Sequence, residues 1–412
     1  MSKVDPETDE TEGHKPKQLS KAKLYVLALA SAVVTANAYY IHPIIARVAE
    51  DFGVSAAMIG AVPALNQIAL ALGILLLLPL GDRISNRRLT SIFVAGQFCG
   101  VLAMTLVQDF RLFIAGSTLL GFFTIAPYLL PAYVSKRVNP AELGHATAIL
   151  TVGVIGGILL ARVGAGFLGE HYGWRTIYFV AATLMLIVSI CLPFIMDERE
   201  RQETVRQSYP RLIISILPII KAHPDIIIAG MIQALSFGIF LAVWLGLGLH
   251  LTSPEMGHGV DVVGYLAAIS ALNLITTPRM GAWADKVGAH KARTIMSGFQ
   301  LLGVVCLFFL GHSVWTLLVP LIMMNLVSPV IDITGRMTFL NQAPDVRTRL
   351  MTVYIFLMFL GGGMASWIGT IAYDWAGWTG NVTFAFVMSL LVLTLSLWSF
   401  RSQRTSSEDN QK

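Results

Sequence analysis

Twelve times along the chain a long apolar run gives way to a short polar break. A helix of about 20 residues, rising ~1.5 Å each, crosses a hydrocarbon layer of ~30 Å. Each run therefore predicts a membrane-spanning helix. The spans fall near 24–45, 56–80, 89–108, 112–134, 144–168, 176–195, 225–250, 262–283, 293–311, 314–337, 350–372 and 381–400. Pro43, Pro79 and Pro127 lie inside or at the ends of runs, where neighbouring helices in a bilayer tolerate them.

Composition agrees with that pattern. Hydrophobic residues make up 55% of the chain and charged residues 13%, against roughly 25% charged in soluble domains. The expected class is an all-α membrane protein whose environment is the lipid bilayer. Residues 1–23 are polar and of mixed charge, and read as a disordered tail. The first apolar run is too long for a signal h-region, so no cleavable leader is expected. Cys99, Cys191 and Cys306 all fall in apolar runs and form neither a disulfide framework nor a metal spacing. The net charge of +5 needs no nucleic-acid partner, because the placement of basic residues accounts for it.

All but four of the 29 Lys and Arg residues lie in the termini, in the breaks after even-numbered spans or in the span ends that border those breaks. Arg47, Arg111 and Arg175 lie in the odd-numbered breaks, and Arg162 lies inside span 5. Basic residues stay on the cytoplasmic side, so both termini are expected there.

The halves also echo each other at a shift of 203 to 204 residues. "GDRISNRR" (81–88) aligns with "ADKVGAHK" (284–291), Pro140 with Pro344, Gly157 with Gly361, and "GW" at 173–174 with "GW" at 377–378. The expected organisation is a bundle over 24–195, a linker over 196–224 and a bundle over 225–400, ending in a tail over 401–412. Parallel repeats of this kind occur in alternating-access transporters. The apolar linker stretch "RLIISILPIIKAH" (211–223), with basic ends, predicts an interfacial helix.

Over about residues 20–400 the chain resembles a major facilitator superfamily transporter. "PLGDRISNRR" is similar to the superfamily signature between spans 2 and 3, with Asp82, Arg83, Arg87 and Arg88 at the charged positions. "YYIHPIIARVAEDFGVS" and "GGILLARVGAGFLGEHYGWR" resemble a bacterial branch of drug or sugar-efflux permeases. The resemblance implies two six-helix bundles around a central cavity. It also implies a latch in which Asp82 meets the start of span 11, and Asp285 with Lys286 meets the start of span 5. A carboxylate can accept from free N–H groups at a helix N-terminus; the plainer reading is solvated charge.

Charged and titratable residues inside spans are the other candidates. Arg162 is the basic residue deepest in a span, and a charge at that depth is costly and often functional. It either binds an anionic substrate group or reaches outward toward Glu170. Asp332 and Arg336 stand at the i,i+4 spacing of an ion pair, which serves as a proton site or as a fixed pair. By depth Asp332 is not expected to touch Arg162. His42 suits proton exchange, or merely lines the outer vestibule. Near mid-membrane lie Asn37, Tyr40, Asn66, Gln67, Thr124, Tyr128, Gln233, Trp244, Asn273, Asn325 and Tyr354. As a set they suit a small organic substrate held by hydrogen bonds and apolar contact. Glycines crowd spans 5 and 11, where they allow close helix packing.

No phosphate-binding Gly-rich loop, H-E-x-x-H motif or nucleophile elbow occurs, so neither an enzyme nor a cofactor is expected. The leading expectation is proton-coupled efflux of a small organic molecule by a monomer. A sugar or organic-anion uniporter or symporter is the alternative, and a non-transporting sensor or scaffold is the remote one.

Overall fold

The computed structural model describes residues 19–196, 209, 214, 216–339 and 344–409. We number its crossing helices α1–α12. The first ten are α1 (Lys21–Phe52), α2 (Ala56–Gly81), α3 (Asn86–Leu106), α4 (Phe110–Ser135), α5 (Pro140–His171), α6 (Trp174–Ile195), α7 (Asp225–Leu251), α8 (Val260–Val287), α9 (Ala289–Leu310) and α10 (Val314–Met337). The last two are the arms of Pro344–Asp409, which meet where Ala376 and Gly377 leave helical geometry. The crossings match the twelve apolar runs. Several extend a turn or more into polar sequence, and α12 continues to Asp409, past the tail boundary expected at 401.

The repeat has a structural counterpart at its "GW" pairs. Gly173 (φ 84°) and Gly377 (φ 57°) are among the few residues with positive φ, a conformation glycine adopts without steric cost. Each turns one crossing into the next, and each is followed by a buried tryptophan, Trp174 or Trp378. Other ends have polar caps: Ser55, Ser85 and Asp109 accept from backbone N–H groups at the starts of α2, α3 and α4.

Three apolar clusters form the interior. One fills the N-terminal bundle, one the C-terminal bundle, and the third joins them, packing Leu70 and Ile74 of α2 with Leu350, Tyr354 and Met358 of α11. The linker helix Ile216–Ala222 buries Ile216 in that third cluster while Leu217 stays exposed. It therefore packs under the bundle as well as presenting an apolar face outward. The rest of the 196–215 stretch, apart from 196, 209 and 214, and residues 1–18 lie outside the described residues.

The seam between the bundles differs at its two ends. At the end away from the termini, Glu170 of α5 accepts from Val260 N of α8 at 2.9 Å and from Arg47 at 3.3 Å. Gly166 and Gly264 bring the same two helices into backbone contact. Across the bundle, Asp374 accepts from Ala56 N at 3.1 Å, and Trp367 Nε1 donates to Ala57 O at 3.0 Å. At the terminus end, α2 and α11 remain packed. There the space between α5 and α8 opens into a cavity.

The glycines of α5 and α11 divide by role. Gly153 and Gly157 lie against Ala28 and Ala32 of α1, and Gly361 and Gly369 against Ala234 and Ala242 of α7. Gly166 and Gly363 lie on the seam itself, whereas Gly156 and Gly164 meet nothing within 4 Å.

Candidate substrate cavity

Two proline-linked breaks shape the wall of the N-terminal bundle. Pro43 has no N–H, so Tyr39 O cannot receive the usual i+4 donor. The chain tightens instead: Ala38 N, Tyr39 N and His42 N donate to carbonyls three residues back. This rephases α1 and turns Tyr39 inward. A similar break occurs ahead of Pro127, where Thr124 N donates to Gly121 O and Ile125 N to Phe123 O. It leaves Tyr128 projecting between two cavities.

The larger cavity holds about 610 Å³ and lies between the bundles. Its walls include Tyr39, Tyr128, Thr151, Arg162, Phe237, Phe240, Asn273, Asp332 and Arg336. Beside it, a space of about 110 Å³ is lined by Gln67, Thr124, Tyr128 and Phe359.

Arg162 closes the inner end and is 1% exposed. Its Nη2 lies 3.2 Å from His42 Nδ1, and the rings of Tyr39, Phe240 and Trp244 surround the guanidinium at 4.8–5.2 Å. Among the described residues Nε and Nη1 have no hydrogen-bond partner. The side chain turns inward, and Glu170, its alternative partner, is held by Arg47 and Val260 instead. His42 is buried against Arg162 and stacks obliquely on Tyr39, so it does not line an open outer vestibule. A donor facing Nδ1 leaves the imidazole proton on Nε2, which is itself unpartnered.

On the facing wall, Arg336 Nε donates to both carboxylate oxygens of Asp332 at 3.0 Å. Tyr354 anchors the same turn by donating to Asp332 O at 3.1 Å. Arg162 and Asp332 line one cavity without bonding to each other.

The remaining candidates separate into two groups. Gln67, Thr124, Tyr128 and Asn273 line cavities. Asn66 donates to Ser117 O at 2.8 Å, Asn325 Oδ1 accepts from Ser270 Oγ at 3.0 Å, and Gln233 donates to Met358 Sδ at 3.3 Å; these are helix-packing contacts. Tyr354 is buried behind the cavity, and Asn37 is buried with both amide atoms unpartnered. Trp244 reaches the site through Arg162 and Phe240. Tyr40 is buried outside both cavities and Tyr39 takes the expected position, because the break at 37–40 rotates the helix. Sequence reasoning also missed Phe237 and Phe240. Pro43 was the available signal for Tyr39, and Gln233 and Trp244, at i and i+11 on the face that carries Phe237 and Phe240, were the available signal for those two.

Two latch features can be placed. Asp285 is exposed and makes no hydrogen bond or ion pair among the described residues, so the expected contact with the start of α5 is unmade in this state. The same separation of α5 from α8 that opens the cavity accounts for it. Lys286 is likewise exposed. The Asp82 side chain lies outside the described residues; Arg83, Arg87, Arg88 and, at the start of α11, Arg347 and Arg349 all have partners.

The profile of the Major Facilitator Superfamily matches residues 27–366. The uncharacterized transporter YgaY of Escherichia coli O157:H7 is 28% identical over 95% of this chain and 98% of its own length. Multidrug resistance protein MdtG of Dickeya zeae is 24% identical over 58% of this chain and 59% of its own. Among solved structures, the nucleoside transporter NupG superposes with a TM-score of 0.75 at 13% identity, over 92% of this chain and 98% of that one. A family profile that spans both bundles and a full-length transporter relative agree with the helix order and the cavity between the halves: the chain belongs to the Major Facilitator Superfamily, and the protein is a membrane transporter.

Proposed function

We propose that this transporter carries a small organic anion with a flat apolar body, by alternating access and linked to protons. One observation carries the reading: Arg162 is buried on the cavity wall, walled by three rings, with two donor nitrogens unpartnered and no carboxylate bound to it. A buried ion without a counter-charge costs several kcal/mol, and ring faces return roughly 0.5–2 kcal/mol each. A substrate carboxylate on Nε and Nη1 would supply the missing charge in bidentate form, and the rings suit an aromatic or conjugated body.

Proton linkage follows from His42. While its Nδ1 accepts from Arg162 the imidazole is neutral. A carboxylate on Arg162 neutralises that charge and draws Nη2 away from Nδ1, which is then free to take a proton, so a proton and the anion load together. Asp332 and Arg336, on the moving C-terminal bundle, form the second exchangeable pair. The excess of basic residues at the terminus end supports cytoplasmic termini in an inner membrane. The cavity then faces the cytoplasm, with the outer seam closed.

A second reading, export of a neutral or weakly charged molecule by proton antiport, draws on the MdtG relative's name as a multidrug resistance protein.

Proteoliposomes with a trapped pH dye test both, screened with aromatic carboxylates, sugars and amphiphilic cations. The anion reading expects carboxylates to cross with a co-directional proton signal, lost in Arg162→Gln. Carboxylate transport undiminished in Arg162→Gln would refute it, and a counter-directional signal with cations would establish the second reading.

A further inference from the structure

A second buried arginine, outside the substrate cavity, lies at the terminus end of the C-terminal bundle. Arg293, one turn into α9, is 1% exposed. Its Nη2 donates to Ser399 Oγ of α12 at 2.8 Å and lies 3.2 Å from His290 Nδ1. Among the described residues Nε and Nη1 have no partner, and in this state both are closed to solvent. The side chain lines a cavity of about 690 Å³ together with Asp225, Lys291, Thr338, Trp398 and Ser399.

The fold itself does not demand this charge. At the register of the internal repeat, Thr90 occupies the equivalent place in the N-terminal bundle, buried and uncharged. The arginine is thus peculiar to one half. The cavity also contains the first turn of α9, a 22-residue helix whose cap, Gly288, offers no side-chain acceptor. Its leading N–H groups and dipole favour an anion there. Lys291 in the same turn is exposed, as is Trp398, at 54%, on the flank of α12. Tryptophan and basic residues at a helix end are the usual markers of headgroup depth.

We propose that this cavity binds a phosphate group, held by the ammonium of Lys291, the α9 N-terminus and the Nε and Nη1 of Arg293, which the side chain turns toward the cavity as the ligand enters. Asp225 on the opposite wall disfavours a bare dianion and favours an ester whose other substituent offers a hydrogen-bond donor. The phosphodiester of a phosphatidylglycerol headgroup meets both conditions, with its glycerol hydroxyls toward Asp225. Free phosphate shares the anionic chemistry and is the soluble alternative.

The purified full-length transporter in detergent would be titrated with phosphatidylglycerol, phosphatidylcholine or inorganic phosphate. Bound lipid is read by native mass spectrometry and bound phosphate by equilibrium dialysis, with thermal unfolding recorded alongside. Wild type is expected to retain phosphatidylglycerol over phosphatidylcholine, and Arg293→Gln to lose about tenfold or more in that retention, the order expected for charge-assisted hydrogen bonds. Should Arg293→Gln fold poorly, Lys291→Gln, altered at an exposed position, is expected to weaken retention several-fold with unfolding of the lipid-free protein unchanged. Phosphate binding that depends on both residues, without lipid preference, would assign the site to a soluble phosphate. Equal retention of phosphatidylglycerol and equal phosphate binding by wild type and variants would overturn the proposal.

Discussion

Replacing Gly166 by valine tests whether the α5–α8 contact holds the far end of the transporter shut. A Cβ at Gly166 would lie 2.8 Å from Val260 O and 2.9 Å from Gly264 Cα. Ordinary contacts between heavy atoms need about 3.5–4.0 Å. Both obstacles are backbone, so the helices must part by roughly 0.5–1 Å. Parting them lengthens the 2.9 Å bond from Val260 N to Glu170. A hydrogen bond to a charged group contributes about 1.5–3 kcal/mol. A shift of about 2 kcal/mol toward an arrangement open at the end away from the termini is roughly thirtyfold in population. Gly164, on the same helix, is the internal control, because a Cβ there meets nothing within 4 Å. The assay is pulsed EPR between spin labels at His171→Cys and His258→Cys, both exposed, with Cys99, Cys191 and Cys306 replaced by serine. Gly166→Val should lengthen the inter-label distance by several Å for most molecules, and Gly164→Val should leave it unchanged. Identical distributions for Gly166→Val and its parent would show that this contact is not the outer closure.

Other perturbations separate neighbouring claims. Asp374→Ala removes the acceptor for Ala56 N and should favour outward opening by about 1 kcal/mol, roughly fivefold, in the same EPR assay with labels across α2 and α11. Asp332→Asn keeps the side-chain shape but breaks the ion pair with Arg336; substrate-driven proton movement should fall while substrate binding persists. Asp82→Asn should raise cysteine labelling from the terminus side and lower turnover at unchanged expression, and unaltered labelling would remove the latch. Gly157→Leu drives a side chain into the backbone of Ala32 and should abolish folded protein by size-exclusion chromatography.

Arg162 shows how far linear reasoning reaches. A lone arginine deep in an apolar run is visible in any sequence, and its cost inside a membrane marks it for attention. Whether it turns outward to Glu170 or inward to His42 depends on partners 120 residues away on α1 and across the seam on α8. Asp332 and Arg336 needed no such knowledge, since one turn of helix brings them together. Tyr39 and Tyr40 mark the limit: helical periodicity selected one, and a three-residue tightening ahead of Pro43 selected the other.

The sequence by itself determined the class, the number of crossings, the two-fold repeat and the i,i+4 pair. These follow from local physics: chain length against bilayer thickness, the cost of charge in hydrocarbon, and the pitch of a helix. Tertiary structure alone decided which of the buried amides line cavities and which bind neighbouring helices. It also decided which glycines lie on the seam between the bundles, and that among the described residues two buried arginines keep donor nitrogens unpartnered. In an almost wholly apolar chain every helix face looks alike in sequence, because lipid and protein interior are equally greasy. Only the packing of one helix on another tells them apart.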